Sequence, residues 1–109
     1  MSERHCLVLC TCPEDGSAER IAEAVVDERL AACVNIVKGL TSIFRWQGQR
    51  ETASECLLLI KTRKACYPAL EARVRELHPY EVPEIIALSL EAGLKAYLDW
   101  MDAETCPPA

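Results

Sequence analysis

A chain of 109 residues that is 50% hydrophobic and 27% charged has the length of one domain and is too apolar to stay disordered. Its net charge of −5 excludes the clustered basic surface that phosphate contacts require, so no nucleic-acid partner is expected. No apolar run nears the roughly 20 residues of a membrane-spanning helix, and the longest strong one, residues 57–60, is only the size of a buried strand.

Residues 5–11 (HCLVLCT) are short, apolar and closed by Pro13, as a strand buried on both faces would be. Residues 13–16 (PEDG) form a turn, and Ser17 is placed to cap a helix. That helix carries Ala18, Ile21, Ala22, Val25, Val26 and Leu30 on one stripe, with acidic and basic residues around the rest. Extended character returns at residues 33–37, bends at Gly39 and continues through Phe44 and Trp46. The polar turn 47–50 (QGQR) reads as a hairpin, and residues 51–62 are the return strand, apolar without alternation at 56–60. Residues 64–77 are helical, with Tyr67, Leu70, Val74 and Leu77 at spacings of three and four, and His78-Pro79 stops the helix. Residues 84–90 make a fourth strand, and residues 94–101 a last short helix. The ordered core therefore runs from about 5 to 102, with residues 103–109 as a frayed tail of a single domain.

The order β-α-β-β-α-β predicts an α+β fold of the ferredoxin-like kind: an antiparallel four-stranded sheet, two main helices on one face, and a short C-terminal helix. The first and third strands are central in that topology, and they are the continuously apolar ones here. Helices on one face leave the other apolar face uncovered, which predicts association through the sheet. Seven cysteines would suggest a disulfide framework in a secreted domain. The odd count, and a start with no apolar signal segment, favour a cytoplasmic protein with mostly reduced thiols, most of them small core residues.

Six blocks in order resemble the CutA family of divalent-cation-tolerance proteins: residues 9–11 (LCT), 30–36 (LAACVNI), 41–48 (TSIFRWQG), 58–62 (LLIKT), 78–86 (HPYEVPEII) and 97–100 (YLDW). The resemblance spans about residues 5 to 102, and HPYEVPEI is its most specific part. It implies a small cytoplasmic homotrimer, shaped like the PII signalling proteins, that binds copper or another divalent ion such as zinc, with no organic cofactor and no catalytic reaction. The family's first-strand cysteine matches Cys10, and its histidine before Pro-Tyr matches His78; the second histidine that some bacterial relatives carry is replaced by Leu77.

Thiolate and imidazole donors suit soft and borderline ions such as copper and zinc. Cys12, two residues beyond Cys10, shares its strand face and is a candidate helper, as is Cys6. Glu84 is a candidate oxygen ligand or a partner that orients the His78 ring. Against these stand plainer roles: a core thiol at Cys10, a helix cap at His78 and an interface ion pair at Glu84. Trp46, Lys61, Tyr80 and Glu81 are candidates to line an intersubunit cleft, and Cys33 and Cys56 are expected in the core. There is no nucleophile elbow, phosphate loop or dinucleotide motif in the chain, so an enzyme is not expected. The alternative function is a PII-like signalling or scaffold trimer that takes a small molecule or protein at its clefts.

Overall fold

The structure is a computed structural model that describes residues 4–106. Four strands form one antiparallel sheet: β1 (His5–Pro13), β2 (Cys33–Trp46), β3 (Gln49–Arg63) and β4 (Ile85–Ser89), in the order β2-β3-β1-β4. The two continuously apolar strands, β1 and β3, are the central pair, as the ferredoxin-like reading requires. Helices α1 (Ser17–Asp27) and α2 (Tyr67–Leu77) pack on one face, a short 3-10 turn (Lys64–Cys66) leads into α2, and α3 (Lys95–Glu104) follows β4.

Alternation along the central strands decides what is buried. Cys6, Val8, Cys10 and Cys12 of β1 point to the helix side, where Cys56, Leu58 and Ile60 of β3 lie opposite them. Ile21 and Val25 of α1 and Leu70 and Val74 of α2 close this core. The other face carries Leu7, Leu9, Leu57 and Leu59, each only half-buried, and on β4 the half-exposed Ile86 and Leu88 opposite Leu9 and Leu7. The apolar run at residues 56–60 was expected to be covered on both faces; within this chain only one is.

Local details depart from the expectations in three places. Gly16, in the left-handed region at φ +91°, caps α1, and the Asp15 carboxylate accepts the Ser17 amide. Ser17 is therefore the first helical residue, and its hydroxyl is buried without a hydrogen bond of normal geometry. Gly39, at φ +82°, sits in a β-bulge that shifts the register between Val37 and Leu40, so the expected bend lies inside one continuous strand. Of the tail expected at residues 103–109, residues 103–106 are ordered, and residues 107–109 lie outside the described residues. α3 continues through Glu104, Met101 and Thr105 are fully buried, and a Cys66–Cys106 disulfide ties the end of α3 to the start of α2. Buried Arg63 reinforces this tie by donating to the Thr105 hydroxyl at 2.8 Å and to the Cys106 carbonyl. The reduced state expected for the thiols holds for Cys6, Cys10, Cys12, Cys33 and Cys56 and fails for the bridged pair.

Candidate functional site

β4 pairs with β1 only from Cys6 to Cys10, so this edge of β1 is open beyond Cys10. The segment after α2 fills that opening. His78 leaves the helix in an extended conformation, as a residue before proline must, while its amide still closes on the Val74 carbonyl. Its ring reaches β1, where Nε2 lies 2.7 Å from the Thr11 carbonyl. Nδ1 accepts the Tyr80 amide at 3.1 Å, which places the ring proton on Nε2 in a neutral imidazole.

The result is a buried cluster. Ligand atoms of Cys10, Cys12 and His78 lie within 4.8 Å of one another, and all three residues are buried. The family resemblance pointed to Cys10 and His78 and strand spacing added Cys12, and the structure brings the three together. Glu84 is not among them; it stands on a neighbouring cleft and acts on Cys10 only through its charge. Cys6, four positions back on the same strand face, is outside the cluster too.

The two thiols are electrostatically unequal. A hydrogen bond from Cys10 to Cys12, joined by burial, pushes the Cys10 thiol far above its ordinary range. The same hydrogen bond pulls Cys12 down to about 6 against the burial penalty, with help from the His78 ring and the neighbouring Ser17 hydroxyl. Burial opposes charge on His78, yet the Cys12 sulfur and the Thr11 carbonyl outweigh it and raise its pKa. The cluster therefore holds one proton-rich and one proton-poor sulfur beside an imidazole, a ready donor set for a soft cation.

A cleft of about 920 Å³ adjoins the cluster, between the β2–β3 hairpin and the loop after α2. Trp46, Tyr80 and Glu81, three of the four residues considered for an intersubunit cleft, line this cleft within one chain, together with Glu84, Phe44, Val82, Glu51 and Glu55. Lys61 does not. It lies at the far end of β3, bonded to the Asn35 side chain and 3.9 Å from the Cys33 sulfur. Cys33 is correspondingly half-buried beside that ammonium, because its parity on β2 directs it away from the helices and out of the core. Glu55 was missed. It is 4% exposed and accepts the Tyr80 phenol at 2.7 Å, and burial with this bond drives the phenol well above its ordinary pKa. The one signal for it in the sequence is a lone carboxylate directly before the apolar run 56–60.

This fold is that of a small metal-tolerance domain. Residues 6–104 match the family profile described as CutA1 divalent ion tolerance protein, and the chain belongs to that family. It is 54% identical over 99 residues to the divalent-cation tolerance protein CutA of Thermus thermophilus, covering 91% of this chain and 96% of that protein. It is 50% identical over 95 residues to Protein CutA of Mus musculus, covering 87% of this chain but 54% of the mouse protein. The chain thus spans nearly all of the bacterial relative and about half the length of the mammalian one. Among solved structures, the Thermus thermophilus protein superposes with a TM-score of 0.92 at 53% identity, covering 94% of this chain and 99% of that one. CutA1 from Oryza sativa superposes with a TM-score of 0.93 at 40% identity, covering 96% of each chain.

Proposed function

We propose that this chain works in divalent-cation tolerance as a homotrimer that binds copper or another divalent metal ion through Cys10 and His78. The observation that carries the reading is the convergence of sulfur and imidazole donors at one buried point. The ion would be cargo. The chain's part is to bind it and exclude water. The trimer is supported by the uncovered sheet face and by the long β2–β3 hairpin, which offers edges for pairing. A cytoplasmic site of action belongs to this reading; the five free thiols favour it and the Cys66–Cys106 bridge counts against it.

Ion titration calorimetry tests the ligand assignment. The unaltered protein is expected to take up copper stoichiometrically, and a Cys10→Ala/His78→Ala variant to lose that uptake. Unchanged binding by the double variant overturns it.

A second reading is favoured by the cleft itself, which joins aromatic and carboxylate side chains in a volume of about 920 Å³, large enough for a small molecule. In that PII-like role the trimer would take a small ligand or a protein segment, and metal binding would be incidental. The hairpin turn of only Gln47 and Gly48 between paired Trp46 and Gln49 leaves no long partner-contacting loop of the PII kind. A thermal-shift screen that finds a stabilising small molecule and no response to metals would favour this reading over the first.

A further inference from the structure

We propose that Cys12 is a third ligand and makes the cluster a two-sulfur, one-nitrogen site selective for Cu(I). This rests on the reading of Cys10 and His78 as metal ligands and goes beyond it in naming the third donor and the oxidation state. The donor atoms of all three residues lie within 4.8 Å of one another, which one small cation can span. Cys10 and Cys12 are fully buried and His78 is 7% exposed, so water is a poor source of further ligands.

Coordination number then decides the ion. Zinc in a closed site takes four donors, and hard divalent ions take six or more oxygens. Among the described residues the cluster holds three donors and no carboxylate. Two thiolates and one imidazole are soft donors that match a low-coordinate Cu(I) ion. His78 must give up one backbone partner to ligate, either the Thr11 carbonyl at Nε2 or the Tyr80 amide at Nδ1. Near neutral pH Cys12 binds as the thiolate it already is, while Cys10 exchanges its thiol proton for the ion and releases that proton to solvent, with no electron transferred.

The test is anaerobic competition of the full chain against a chromophoric Cu(I) chelator, with Zn(II) titrated in parallel and sulfur and nitrogen ligation read from copper X-ray absorption. The unaltered protein is expected to bind one Cu(I) per chain with two sulfurs and one nitrogen, and Zn(II) far more weakly. Cys12→Ser is expected to weaken Cu(I) by roughly 100-fold or more, because losing a direct ligand costs at least as much as losing its outer support. Cys33→Ala, which alters the half-buried thiol outside the cluster, is expected to leave it unchanged. Circular dichroism of both variants, with Cys12→Ala as a second substitution, separates a lost ligand from a lost fold. Unchanged Cu(I) affinity in folded Cys12 variants, or zinc preferred over Cu(I), overturns the proposal. If in addition Cys10→Ala/His78→Ala abolishes binding, the two-ligand reading survives; if it does not, both fail.

Discussion

A single proton distinguishes the two sulfurs of the cluster. Cys12 is lowered to about 6 and Cys10 is raised, against an ordinary 9.0 for both. The depressed Cys12 contributes stability that is present above 9.0 and is lost as pH falls through about 6. The raised Cys10 contributes stability that is present below 9.0 and is lost at higher pH. Stability from the pair should therefore climb between about pH 6 and 9 and decline beyond. Ultraviolet thiolate absorbance of the metal-free protein should show one thiolate forming near pH 6, and Cys12→Ala should abolish that step. A first thiolate appearing only near pH 9 would refute the assignment. Much of this site was legible from β-strand parity, which put Cys10 and Cys12 on one face, and from the HPYEVPEI block around His78. Its limits were only partly so. Cys6, four residues or about 13 Å back along β1, is out of reach by strand rise alone, whereas whether Glu84 joins depends on how the loop after α2 turns, which local spacing does not encode.

Two covalent or backbone devices hold the elements in place. The hairpin turn puts Gln47 at φ +51° and Gly48 at φ +80°, the left-handed pair that twists two strands together. Nothing lies within 4 Å of a Cβ placed on Gly48, so its cost in substitution is purely that of the backbone. Gly48→Ala should lower stability by about 1 kcal/mol in chemical denaturation, and no change would mean the turn readily adopts another type. The Cys66–Cys106 bridge closes a segment 40 residues apart in sequence. On the chain-entropy account its loss costs roughly 4 kcal/mol at most. Cys66→Ala/Cys106→Ala should therefore melt several degrees lower, while Arg63 still holds Thr105 and Cys106. An unchanged melting point would place the stabilisation in the Arg63 contacts instead. Helical spacing made the helices readable, and short apolar runs closed by turn residues did the same for the strands. The bridge escaped that reading because Cys66 and Cys106 share no pattern along the chain; only the docking of α3 brings them together.

As a whole the molecule is elongated, 43 by 25 by 22 Å, with a radius of gyration of 14.4 Å against about 13 Å for a compact domain of this length. The excess fits a hairpin that reaches beyond the body of the domain. Ile43 at its end is 68% exposed, and Leu88 on β4 is 51% exposed, so apolar surface is offered at both edges of the sheet. Light scattering should give a mass three times the 12.1 kDa of the chain. Ile86→Lys/Leu88→Lys, which places two ammonium groups on that uncovered face, should shift the protein toward monomer. A monomer in the unaltered protein would overturn the trimer.

The closure of the C-terminal end also sets where the molecule can be handled. His5 at the start of β1 bonds Asp102 of α3 at 2.8 Å, and Arg63, opposite His5, holds Thr105. Both ends of the described chain thus meet at one pole of the sheet. The cluster lies five to seven residues along β1 from His5, about 17 to 23 Å away at strand rise, and the β2–β3 hairpin extends beyond it. A label or substitution at that pole should therefore leave the buried donor cluster and the adjoining cleft undisturbed.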